Sequence, residues 1–253
     1  MIGGRRLGSL RWPEVAAGSL LAVPLGSCEQ HGPHLPLDTD TRIAEAFAEL
    51  LAGSADDVVV APPVSVGASG EHQSFPGTLS IGTVALEALL VELVRSALPP
   101  VGSPAPAPAP FRGVVLVNGH GGNVEATGRA AALLASEGRA VLVWHPSVPG
   151  GDSHAGRTET SMLLHLSPDV VRMERAEPGA TARWRDLRDT VVADGLAAVS
   201  PNGVLGDPTG ATAAEGAVIV AQLAADLAAA VDRWRESLSV VERATSEQLG
   251  NRP

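Results

Sequence analysis

Apolar positions along the chain alternate between two kinds of pattern. Leu20-Leu-Ala-Val-Pro-Leu25, Val58-Val-Val-Ala61, Gly113-Val-Val-Leu-Val117 and Ala140-Val-Leu-Val-Trp144 are short, nearly continuous apolar runs. Such runs mark strands buried on both faces. Between them apolar residues recur at helical spacing. Ile43, Phe47, Leu50 and Leu51 predict a helix over 41–52, with Asp40 as N-cap and Gly53 as stop. Further helices are predicted over 84–98, 124–137 and 213–238. Another opens after Asp152 and ends at Ser167-Pro168. A short helix is predicted from Trp12, and 176–210 reads as loop. Strand–helix alternation predicts an α/β fold with a mainly parallel central sheet covered on both faces. The chain reads as one domain, 1–253. The Pro/Ala-rich run at about 101–110 is a surface insertion, and the polar tail at about 243–253 is expected to fray or be disordered.

Composition narrows the function classes. Hydrophobic residues make up 45% of the chain, which favours a globular protein over a disordered one. A net charge of -10 argues against a nucleic-acid or anionic-membrane partner. One cysteine permits no intrachain disulfide, as in a reducing cytoplasm. The N-terminal residues lack a signal-peptide core, and no stretch approaches the ~20 uninterrupted apolar residues of a spanning helix. A cytoplasmic protein off the membrane is therefore expected.

The chemistry is concentrated at strand ends. Gly26-Ser-Cys-Glu-Gln-His-Gly-Pro-His-Leu-Pro-Leu-Asp-Thr-Asp40 follows the first run and holds two imidazoles and three carboxylates within fifteen residues. In an extended backbone Glu29 and His31 point to the same side, and Asp40 can fold back onto them. That is a divalent-metal half-site, or else a polar loop with a capping Asp40. His120 follows the third run, in Asn118-Gly-His-Gly-Gly-Asn123, and His154 and Glu159 follow the fourth. In a parallel sheet these strand ends share one edge, where ligand sites lie. The glycines at 119, 121 and 122 lack the Lys-Ser/Thr pair of a phosphate loop. Neither Ser27 nor Ser153 lies in a Gly-x-Ser-x-Gly context. Cys28 alternates away from Glu29, so metal-activated water is the better nucleophile.

Together, Glu29-Gln-His31 with Asp40, Glu71-His-Gln-Ser-Phe-Pro-Gly-Thr-Leu-Ser80, Asn118-Gly-His120-Gly-Gly-Asn and His154-Ala-Gly-Arg-Thr-Glu159-Thr-Ser resemble the creatininase family. The similarity spans about 12–235. It implies a three-layer α/β/α amidohydrolase, oligomeric, with two divalent ions per chain. It carries over Glu29, His31, Asp40 and His120 as metal ligands, with Asp40 bridging. Creatininase proper has Tyr-Glu directly after the motif's His, and that Glu binds metal. Here Gly121 and Gly122 stand there, so Glu159 is the candidate to complete the second ion.

Within the family, the wording around 67–75, 154–161 and 198–208 resembles a peptidase branch. This implies cleavage of a modified C-terminal Val-Tyr unit from a ribosomally made precursor peptide. The catalytic candidates are His154, as proton donor to the departing amine, and Glu159. The alternatives are an amidohydrolase acting on a small cyclic amide or formamide, and a non-catalytic peptide-binding scaffold. Zinc, iron and manganese all suit the ligand set, and a homo-oligomer is expected.

Overall fold

Strand β2 (Ser19–Leu25) is buried at all seven positions, because it lies in the middle of the sheet with helices over both faces. In the computed structural model, which describes residues 5–99 and 111–250, five parallel strands run in the order β1-β3-β2-β4-β5. The others are β1 (Arg5–Arg6), β3 (Val58–Val60), β4 (Phe111–Asn118) and β5 (Val141–Trp144). β2 pairs Leu20 with Val58 on one side and with Gly113 on the other, and runs in register to Leu25 opposite Asn118. The edge strand β1 was not expected. Two exposed arginines carry no hydrophobic pattern, and only pairing with Val59 and Val60 makes them a strand.

Side-chain alternation divides the apolar runs between two cores, giving the expected α/β/α layers. Leu20, Ala22, Val58, Val60, Val115 and Val117 face one layer, against Phe47 of α1 (Thr39–Ser54), Met162 of α4 (Arg157–Leu166) and Leu227 of α6 (Ala213–Gly250). Leu21, Val23, Leu25, Val114 and Leu116 face the other, against Leu90 of α2 (Gly82–Ala97) and Ala130 of α3 (Val124–Ser136). Truncating the wholly buried Phe47 to alanine would cost ~3–5 kcal/mol. The segment Ala213–Leu238 of α6 is long and apolar enough to cross a membrane. Here Val220, Leu223, Leu227 and Val231 bury one of its faces in the first core.

Three local readings change. Helix α1 starts at Thr39 with Asp38 as N-cap, so Asp40 lies in the first turn. Its carboxylate has partners elsewhere and does not cap the helix. The element at Trp12 is a single 3₁₀ turn, Trp12–Glu14. A helix, α5 (Trp184–Asp194), stands where loop was predicted. The insertion at 101–110 and the last three residues lie outside the described residues.

Candidate metal centre

The parallel sheet delivers the ends of β2, β4 and β5 to one edge, and the candidate residues meet there. Glu29, His31, Asp40, His120 and His154 are all buried, with Glu29 and His31 at 0% exposure. The two oxygens of Asp40 face different imidazoles: Oδ1 is 3.0 Å from His31 Nε2, and Oδ2 is 3.0 Å from His120 Nδ1. Ser27 Oγ donates to Oδ2 at 2.8 Å. Glu29 Oε2 is 3.2 Å from His120 Nε2. Glu159, in the first turn of α4, accepts a hydrogen bond from the Ala155 N–H at 2.6 Å. It forms a cluster with His31 and His154 whose ligand atoms lie within 4.8 Å of one another, as do those of Glu29, His31 and Asp40.

These residues fit a divalent metal. Neither carboxylate oxygen of Glu29 has a hydrogen-bond partner, although both are buried. An unpaired buried carboxylate costs several kcal/mol unless a cation compensates it. Both candidate ligand imidazoles also give one ring nitrogen to a backbone carbonyl, which orients the other toward the centre. His31 Nδ1 donates to Glu29 O at 3.1 Å, and His120 Nε2 donates to Ala68 O at 3.1 Å.

The electrostatics of the metal-free cluster follow from burial and mutual charge. Burial pushes Glu29 and Glu159 up to about 7. Burial opposes a charge on His31, yet Asp40 wins and raises it to about 10. His120 is raised to about 9, also against burial, by Glu29 and Asp40. Asp40 stays well below the usual carboxylate range despite burial, because His31 and His120 face it. His72 is lowered to about 3 by burial. His154 is lowered by burial and by the neighbouring charge of His31. Protons and imidazolium charges thus balance buried carboxylates that divalent metal would otherwise compensate.

Gly122 has no room for a side chain. A Cβ there would lie 2.3 Å from Ala68 O and 2.5 Å from His120 Nε2. All five expected ligands and His154 converge, but the surroundings were not foreseen. Asn123 bonds to Gly26 O, Ala68 N and Asn118 Oδ1, tying three loops together. Gln30 and His72 pack beside Glu29 and His154. Helix α5 walls a cleft of ≈ 1470 Å³ with Trp184, Arg188 and Val192. Of these, Gln30, His72 and Asn123 fall inside the motifs quoted from the sequence, but the sequence assigned none of them a role.

A parallel α/β/α sheet whose carboxyl edge gathers three carboxylates and several imidazoles in a cleft has the donor set of a metal-dependent hydrolase. A family profile described as creatininase, creatinine amidohydrolase, matches residues 8–231. The chain belongs to the creatininase family and is a hydrolase acting on amide bonds. The mycofactocin precursor peptide peptidase of Mycolicibacterium smegmatis is 54% identical over 222 residues, which cover 85% of each chain. The creatinine amidohydrolase of Pseudomonas putida is 30% identical over 211 residues, covering 69% of this chain and 77% of that one. A solved structure described as "Creatininase Mn" superposes with a TM-score of 0.73 at 27% identity, covering 93% of this chain and 99% of that chain.

Proposed function

We propose that this protein is a metal-dependent peptidase that releases the modified C-terminal Val-Tyr unit of a mycofactocin precursor peptide. The observation that carries the metal-centre reading is Asp40, whose two oxygens face His31 and His120 separately, an arrangement that would suit a carboxylate shared between ions. Glu29, Asp40 and His120 would hold one ion, and His31, Asp40 and Glu159 the other. Divalent ions there supply Lewis-acid chemistry, polarising an amide carbonyl and making water a nucleophile at neutral pH.

The chain's own residues supply the rest. His154 Nε2 lies 2.9 Å from Gln30 O, so that nitrogen carries the proton and Nδ1 presents a lone pair toward the centre. A neutral imidazole in that state takes a proton as water attacks and hands it to the departing amine. The substrate follows the 54% identity with the M. smegmatis peptidase. It is supported by the cleft of ≈ 1470 Å³, which exceeds the ~300–1,000 Å³ usual for small-molecule sites. The closed space at Gly122 also supports it, since the creatininase glutamate has no place there. The enzyme would act in the cytoplasm as a homo-oligomer.

Mass spectrometry of the modified precursor peptide, incubated with the protein and zinc, ferrous iron or manganese, tests the reading. Release of the Val-Tyr unit is expected. An intact peptide together with turnover of creatinine or a small formamide would overturn it.

A further inference from the structure

Gln30 and His72 lie beside the centre, and their hydrogen-bond directions are fixed by groups with no freedom. The Gly32 N–H can only donate, and it approaches Gln30 Oε1 at 2.9 Å. Gly203 O can only accept, and it lies 3.0 Å from Gln30 Nε2. The Gln30 amide is therefore oriented without ambiguity, and Nε2 has one hydrogen left. Two imidazole nitrogens lie within reach of it. One, His154 Nε2, carries its own proton, given to Gln30 O at 2.9 Å. The other, His72 Nδ1 at 3.1 Å, must accept. An imidazole that accepts at Nδ1 is neutral and bears its proton on Nε2.

That proton has one direction to go. His72 Nε2 lies 3.3 Å from Glu29 Oε1, one of the two buried carboxylate oxygens without a hydrogen-bond partner. Glu29 has two other imidazole neighbours. His120 Nε2 donates to Ala68 O, and His154 Nδ1 is the bare nitrogen of its ring, 3.8 Å from Oε1. The groups form a directed relay: Gly32 N–H donates to Gln30 and Gln30 donates to His72, whose Nε2 proton then faces Glu29 Oε1 across 3.3 Å, a close approach rather than an aligned hydrogen bond. A proton on Nε2 also closes that nitrogen to a metal, although Glu29, His72 and His154 lie close enough to make a ligand cluster of their own.

We infer that Gln30 and His72 are positioning residues for the metal centre: Gln30 locks His72 as the Nε2–H tautomer, and His72 orients the Glu29 carboxylate from outside the coordination sphere. The inference rests on Glu29 being a ligand. Outer-shell partners of this kind change metal affinity by ~10–100-fold when removed.

The test reads tautomer and affinity separately. Ring ¹⁵N spectra of the metal-free protein, with His72 assigned by its loss in His72→Phe, should show Nε2 protonated and Nδ1 bare. In Gln30→Met the two tautomers should mix. His72→Phe should weaken zinc binding by ~10–100-fold in a chelator competition while the number of ions per chain is unchanged. His72→Gln, whose amide nitrogen takes the Nε2 position, should retain most of the affinity. A His72 protonated on Nδ1 overturns the relay. Loss of one whole ion in His72→Phe would make His72 a ligand, and unchanged affinity in that folded variant would remove its role. If His72→Phe does not fold, the tautomer and affinity of Gln30→Met decide. Wild-type protein that binds no divalent ion sinks the metal reading and the orienting role together, while the tautomer is still read on the metal-free chain.

Discussion

Loading the centre with metal should expel protons in a number set by the site's electrostatics. Ligand imidazoles must be neutral and ligand carboxylates ionised before they coordinate. At pH 8 His31 and His120, raised to about 10 and about 9, are both charged in the metal-free protein. Glu29 and Glu159, near 7, are mostly ionised at that pH. Filling both sites at pH 8 should therefore release about two protons per chain, and at pH 6 about four, as the carboxylates join. Calorimetric titration of zinc into metal-free protein, in buffers of different ionisation enthalpy, counts them. Release of fewer than about one proton at pH 8 would refute the reasoning, since His31 and His120 would then be neutral beforehand or not ligands. The same shifts act on stability. A group whose pKa is raised by folding contributes stability that is full below its unfolded value and is lost as pH rises through the folded one. The melting temperature of the metal-free protein should thus fall between pH 7 and pH 10 as His31 and His120 discharge. Below about pH 7 the lowered His34 and His72 act in the opposite sense and the raised Glu29 and Glu159 in the same one, so the fall belongs to His31 and His120 alone only above about pH 8.

Other substitutions probe separate parts of the centre. Asp40→Ala should lower occupancy of both ions together, whereas Glu159→Gln should weaken mainly one, as elemental analysis of reconstituted protein would show. His154→Ala should reduce turnover ~10²–10⁴-fold with both metals retained. A rate restored by excess metal would instead mean that His154 only orients a ligand. Gly122→Glu should not create a creatininase-like ligand set, because its Cβ meets Ala68 O and the His120 ring. It should destabilise the protein by ~1–3 kcal/mol or more, read as a drop in melting temperature.

Four of the five strands and most of the helices were legible as patterns, because a buried strand and an amphipathic helix each impose a period on their own residues. Glu29 and His31 were expected on one side if the backbone stayed extended; β2 ends at Leu25, so they meet in the loop after it, while the parallel sheet brings His120, His154 and Glu159 to the same edge. Helix α5 was not legible. Only Leu187 and Val191 of its residues join the small cluster with Phe75, Leu196 and Leu205, so its apolar stripe is too narrow to show as a period. Asp40 shows the same limit at one residue. Its sequence context suits an N-cap, but Ser27, His31 and His120 lie thirteen, nine and eighty residues away and claim the carboxylate instead. Gln30 and His72 lie inside motifs the sequence made visible, but forty-two residues separate them and nothing local couples the two side chains. The chain by itself indicated that the motifs after β2, β4 and β5 reach the sheet's carboxyl edge, since that follows from short-range periodicity and strand order. Only the tertiary structure decided which nitrogen carries each proton and which carboxylate is left without a partner, because a hydrogen bond's direction depends on the groups that four separate loops bring within 3 Å or so of one another.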